Sequence, residues 1–186
     1  MTSGGVAPIL VDTSALLAYC KTNYAELVFE TLQMATTNVC NKEIGQQRRY
    51  TTDLIHEGAC NKYYQLLREN RNPDQIFVES YKPHVEDQGE STLIEVFEDH
   101  PYDIDYILLF DFDAIERLEQ VRKQIDATNT KISLPNYAFE ILRRNSKMTD
   151  QDYCKATYQM AAEEGWLKDH ALRIDSVSSV TCSQFP

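Results

Sequence analysis

Short apolar runs alternate with amphipathic stretches along this chain. Pro8-Ile9-Leu10-Val11 is apolar and β-favouring, stops at Asp12, and predicts a buried strand. Ala15–Cys20 predicts the start of a helix, with Thr13 or Ser14 as its N-cap. Apolar residues at 24, 27, 28, 32 and 34 predict a helix over Tyr24–Met34, and Thr36–Cys40 predicts a second strand. A polar helical stretch follows, from Lys42-Glu43-Ile44 to about Asn70, with its continuity left open by Gly45 and Gly58. Asn72-Pro73-Asp74 reads as a turn, Gln75–Tyr81 as a strand or edge strand, and His84–Gln88 as a loop. Glu90–Asp99 predicts a helix with Leu93, Ile94 and Phe97 on one face, ended by Pro101. Tyr106–Phe110 is the clearest strand signal and runs into Asp111-Phe112-Asp113; an amphipathic helix over Ala114–Ile125 follows. Thr130–Leu134 predicts a last strand, and Tyr137–Arg144 and Asp150–Glu164 two further helices. Thr149-Asp150-Gln151-Asp152 has the form of a capping box.

Strands that alternate with helices predict a three-layer α/β/α sandwich with a mainly parallel central sheet. Pro8–Val11, Thr36–Cys40 and Tyr106–Phe110 are expected to adjoin in it. Working groups in such sheets lie just beyond the carboxyl ends of the strands. Those ends carry Asp12, Glu43 in the helix after the second strand, and Asp111 with Asp113. The 186 residues predict a single domain. Its core is expected over about 8–125, a helical part over about 126–166, and a tail over 167–186.

Composition narrows the picture. With 42% apolar and 25% charged residues the chain is globular, which excludes a disordered or collagen-like chain. No apolar run approaches a bilayer span, and Met1–Pro8 lacks the cationic start of a secretory signal, so a cytoplasmic location is expected. The five cysteines form no C-x-x-C pair, and free thiols are expected. The net charge of −11 opposes generic nucleic-acid binding, although a local basic patch or bound metal ions reverse the field at one site. Such acidity also suits a salty cytoplasm. Arg48, Arg49, Lys62, Arg68 and Arg71 are candidate phosphate contacts, as are Arg143, Arg144 and Lys147; a solvated helix face is the competing use. Tyr50, Tyr63 and Tyr64 are candidate stacking residues for single-stranded bases, with packing as the alternative. His56, His84, His100 and His170 have no metal-ligand spacing, and Trp166 reads as a packing anchor.

The acids carry the candidate chemistry. Two carboxylates about 4 Å apart repel by about 4 kcal/mol at an effective dielectric of about 20. A divalent cation offsets this, and all-oxygen ligation suits Mg²⁺ or Mn²⁺. Such ions activate water for in-line attack on a phosphodiester. Plainer uses stand beside this one. A lone Asp after a strand is most often a helix N-cap, and a Glu one turn into a helix favours the helix dipole. In an extended strand, Asp111 and Asp113 would point the same way.

Ile9-Leu10-Val11-Asp12-Thr13-Ser14-Ala15-Leu16-Leu17-Ala18 resembles the opening of a PIN domain, and Thr37–Ile44 resembles that family's second element, a strand leading into a helix with a Glu. Asp87-Gln88-Gly89-Glu90-Ser91 resembles the D-x-G-E segment of a PIN-like subgroup. Ile107–Asp113 followed by Arg117 resembles that subgroup's strand ending in acids, with an Arg on the next helix. The resemblance implies a Mg²⁺- or Mn²⁺-dependent endoribonuclease acting on single-stranded RNA, often the toxin of a toxin–antitoxin pair. An antitoxin protein and a homodimer are then candidate partners. It implies Asp12, Glu43, Glu90 and, as the fourth acid, Asp111 or Asp113 for the acidic pocket, with Asp12, Glu90, Asp111 and Asp113 as candidate metal ligands. Ser14 would orient Asp12, and Arg117 would pair with the acids or contact a phosphate. The chain departs from the pattern in its 46–70 insert, in Asp111-x-Asp113 where a hydroxyl-x-Asp is usual, and in its long C-terminal part. A second frame places Asp152 and Asp175 as the third and fourth acids. Two other readings stand: a non-catalytic PIN-like module that binds RNA or protein, and a haloacid-dehalogenase-like phosphatase. Ile107–Ala114 resembles the first motif of the latter, but Ile115 replaces the usual Thr or Val and few residues follow.

Overall fold

The computed structural model describes residues 9–71, 73–79, 88–163, 180 and 182. Five parallel strands form one sheet in the order β3-β2-β1-β4-β5: β1 (Ile9–Val11), β2 (Met34–Thr37), β3 (Asp74–Ile76), β4 (Tyr106–Leu108) and β5 (Lys131–Ser133). The helices are α1 (Thr13–Cys20), α2 (Ala25–Thr31), α3 (Asn38–Tyr50), α4 (Leu54–Arg68), α5 (Gln88–Asp99), α6 (Phe112–Gln124), α7 (Tyr137–Arg144) and α8 (Asp150–Glu163).

The two-residue period of β1 separates the cores. Ile9 and Val11 pack on one face with α1, α4, α7 and α8, while Leu10 packs on the other with Ile107 and residues of α5 and α6. The protein is therefore an α/β sandwich with an all-parallel sheet, as the alternation predicts. The three expected strands adjoin, with β1 between β2 and β4. Strand order reverses at β1. The crevice beyond the carboxyl ends of β1 and β4 is where such sheets place their sites.

Several boundaries differ from the sequence expectation, and side-chain caps explain most of them. Asp12 caps α1, accepting from the Ala15 N–H, so Thr13 and Ser14 lie inside that helix. The second strand is Met34–Thr37 rather than Thr36–Cys40, because the Thr37 hydroxyl accepts from the Cys40 N–H and turns the chain into α3 at Asn38. The Tyr24–Met34 helix is shorter: Leu32 is extended and Met34 opens β2. Neither Gly45 nor Gly58 breaks the polar stretch; it divides at Thr51–Asp53, where Asp53 accepts from the N–H groups of Ile55 and His56. Of the Gln75–Tyr81 expectation, Gln75 and Ile76 are in β3, and residues 80 and 81 lie outside the described residues. Residues 84–87 of the expected loop and Trp166 also lie outside them; Gln88 opens α5. Asp111-Phe112-Asp113 is not extended: Asp111 caps α6 and Asp113 sits in its first turn.

The cysteines are corrected in part. Cys154 and Cys182 form a disulfide across 28 residues, while Cys20, Cys40 and Cys60 are free and buried. Among the described residues no helix is long and apolar enough to cross a membrane.

Candidate functional site

Three helices begin at one cleft. The Asp12 carboxylate projects where β1 ends, Asp111 where the chain leaves β4, and Glu90 from the first turn of α5. Glu43 reaches in from the second turn of α3. These four acids and Asp113 line a single cleft of about 700 Å³, with Ser14, Thr13, Gln47 and Gly89 between them and Leu93, Leu109, Phe110 and Phe112 as apolar wall.

Each acid is held by a named donor. Ser14 Oγ donates to Asp12 Oδ2 at 2.6 Å, and the Ala15 N–H donates to Oδ1 at 2.7 Å. Thr13 Oγ1 lies 2.6 Å from Glu43 Oε2, to which it donates, and the Gly89 N–H donates to Glu43 Oε1 at 2.9 Å. Arg117 Nη2 is 2.9 Å from each Glu90 oxygen, and the Glu90 side chain is only 11% exposed. Asp111 Oδ1 accepts from the N–H groups of Asp113 and Ala114 at 2.8 and 3.1 Å. Asp113 is exposed at the cleft rim.

Burial pushes the Asp12 carboxyl up to about 6; hydrogen bonds from Ser14 and Ala15 oppose this, and the charges of Glu43 and Asp111 add to it. The cleft thus gathers negative charge around its most desolvated acid. Among the described residues no three His, Cys, Asp or Glu side chains stand close enough together to hold a metal ion. The donor set nevertheless fits a hard divalent cation in kind: it is all carboxylate oxygen, each carboxylate retains lone pairs beyond its present bonds, and like charges face one another. Among the described residues no His or Cys lines the cleft to favour a softer metal.

Two residues that the sequence reading gave no part in holding an acid, Thr13 and Gly89, hold Glu43. A Cβ built on Gly89 would lie 2.7 Å from Glu43 Oε2, so only glycine lets the carboxylate dock on this N–H. The glycine of the D-x-G-E segment was the available signal; Asp87 of that segment lies outside the described residues. Asp152 stands apart from the cleft. It bonds to the Thr149 hydroxyl at 2.7 Å and accepts from Tyr24 Oη at 3.0 Å, and its N–H donates to Thr149 Oγ1 at 3.1 Å. Asp175, the other acid of the second frame, lies outside the described residues.

An all-parallel sheet with a carboxylate-lined crevice at its topological switch defines an α/β protein with an acidic site. The chain matches the model of the halobacterial PIN domain over residues 1–185, and it belongs to that family. No curated protein and no solved structure matches it. Membership brings a nuclease-type function, generally dependent on divalent metal, at the level of the family. The family's halobacterial description accords with the net charge of −11, since acidic surfaces keep proteins soluble in concentrated salt.

Proposed function

We propose that the protein is an endoribonuclease that hydrolyses phosphodiester bonds of single-stranded RNA with Mg²⁺ or Mn²⁺. The observation that carries this reading is the convergence of Asp12, Glu43, Glu90, Asp111 and Asp113 on one cleft at the strand switch. Asp12, Glu90, Asp111 and Asp113 would hold the metal. When bound, such an ion neutralises the phosphodiester and lowers the pKa of water.

The chain's own groups do the rest. Ser14 and the Ala15 N–H fix both oxygens of Asp12, so the carboxylate is preorganised at the end of a buried strand. Thr13 and Gly89 hold Glu43 against Asp12 rather than letting it swing to solvent. Glu43 is the acid best placed to take a proton from water, since it is fixed yet half-buried. Arg117 orients Glu90 and offsets its charge. The N-termini of α1 and α6 direct partial positive charge at an incoming phosphate. The charge of Asp111 is felt at Asp12, while Asp113 stands exposed at the cleft rim.

One observation favours the other reading, a non-catalytic RNA-binding module: Glu90 already has a cationic partner in Arg117. A labelled single-stranded RNA incubated with Mn²⁺ and then with chelator separates the two. Nuclease action gives cleavage that stops on chelation. Glu43→Gln and Glu90→Gln each lower the rate sharply, and their losses do not add, because the acids act together. Retarded but uncut RNA supports the module.

A further inference from the structure

Of the five Lys and Arg residues of the 46–71 segment, Arg49 is exposed and the other four separate into two pairs. Lys62 pairs with Glu26, and Arg71 is within ion-pair distance of Glu26, Glu30 and Glu69, so their charge is spent on the fold. Tyr63 is fully buried, its hydroxyl donating to Asn41 Oδ1. Arg48 and Arg68 differ: among the described residues neither guanidinium has a carboxylate partner. Both line one groove between α3 and α4, of about 420 Å³, together with Asn61, Tyr64 and Leu67. Arg48 lies over the Tyr64 ring, 5.0 Å from its centroid. Tyr64 comes in close because residue 45 is glycine; a Cβ there would lie 2.9 Å from its hydroxyl.

This groove and the acidic cleft are both lined by helix α3. Helix α3 packs between α4 and α5 and presents Glu43 and Gln47 to the cleft and Arg48 to the groove. Glu43 and Arg48 are about 7.5 Å apart along the helix axis and about 140° apart around it, so a strand that joins them passes around the exposed flank of α3. In a protein with a charge of −11, long-range attraction does not gather RNA, so recognition rests on direct contacts. Two unpaired guanidiniums, an aromatic ring and an amide are the groups that make them.

We infer that the α3–α4 groove is a subsite for single-stranded RNA, in which Arg48 and Arg68 grip a phosphate flanking the scissile bond and the Arg48–Tyr64 stack supports a base. This rests on the endoribonuclease reading for its choice of ligand. Asn61 supplies an amide to the edge of that base. The strand then crosses the exposed C-terminal half of α3 between groove and cleft.

The test is fluorescence anisotropy of a labelled oligouridylate with the full chain in chelator, followed by cleavage in Mn²⁺ of the oligomer and of a uridylyl dinucleotide. Arg48→Ala/Arg68→Ala is expected to weaken oligomer binding at least ~10-fold. The same variant should erase the native preference in kcat/KM for oligomer over dinucleotide. Tyr64→Leu should weaken binding several-fold. Arg49→Ala, an exposed cation outside the groove, serves as the control and should change binding less than about two-fold. Equal losses in Arg49→Ala and the double variant would mean diffuse charge and overturn the subsite. So would native protein that binds no oligomer, or a double variant that binds as tightly as native. Oligomer binding that depends on Arg48 and Arg68 without any cleavage would keep the subsite and remove the nuclease reading. Cleavage with native preference in the double variant would do the reverse.

Discussion

At Asp12, burial and two neighbouring carboxylates oppose ionisation, and the consequence is a specific pH dependence. In metal-free protein the native carboxyl holds its proton up to about pH 6, whereas the unfolded one releases it near 3.8. Between these values the native state binds more protons, so stability falls as pH rises. At neutral pH the cost is on the order of 3 kcal/mol. Asp12→Asn removes the charge and leaves an oxygen to cap α1. Unfolding in chelator should therefore show Asp12→Asn more stable than native near neutral pH, with the difference gone near pH 3.8. An unchanged midpoint at neutral pH would remove the electrostatic argument. Gly89 gives a second residue-scale prediction. Gly89→Ala improves helix propensity by up to about 1 kcal/mol yet drives a methyl into Glu43. Melting should hold or rise while cleavage falls by about 10- to 100-fold; unchanged cleavage would mean that the position of Glu43 does not matter. Asp12 and Glu43 could be picked out in the sequence because each follows a strand, whereas Glu90 came from the likeness of its segment to a PIN-like subgroup. The contacts that hold Glu43 could not, since they join residues 30 and 46 positions apart.

Among the elements, type was legible and boundary was not. Buried runs such as Ile9–Val11 and Tyr106–Leu108 announce themselves through apolar β-formers. Where α1, α3, α4 and α6 begin is decided by side-chain caps at Asp12, Thr37, Asp53 and Asp111, which compete with the apolar pattern. The Thr51-Thr52-Asp53 run carried the signal that divides α3 from α4, and two glycines drew attention away from it. The Cys154–Cys182 bond was invisible, because pairing does not follow from count or spacing. Helix α8 carries the element-scale prediction. Hydrogen bonds from Thr149 and then Tyr24 hold the Asp152 carboxyl below its ordinary range, so its stabilising effect is present near neutral pH and fades as pH falls. Asp152→Ala should lower stability by about 1 kcal/mol and leave RNA cleavage at the native rate. A cleavage defect would bring the second acidic frame back.

At the scale of the whole molecule, strand–helix alternation was enough to predict a parallel sheet, and the adjoining of three strands followed. The reversal of strand order at β1 then explains why acids far apart in sequence share a cleft. The acidic balance looked adverse to RNA. The structure places Arg48 on the helix that also supplies Glu43 and Arg68 on the neighbouring α4, so charge of both signs is arranged locally within a negative protein. The most direct test of the account compares native protein and Asp12→Asn on one labelled single-stranded RNA in Mn²⁺. A rate at least ~100-fold lower in the variant, about 2.7 kcal/mol of lost transition-state stabilisation, is the result predicted. Equal rates in the two proteins would contradict it and assign the cleavage to something other than this cleft.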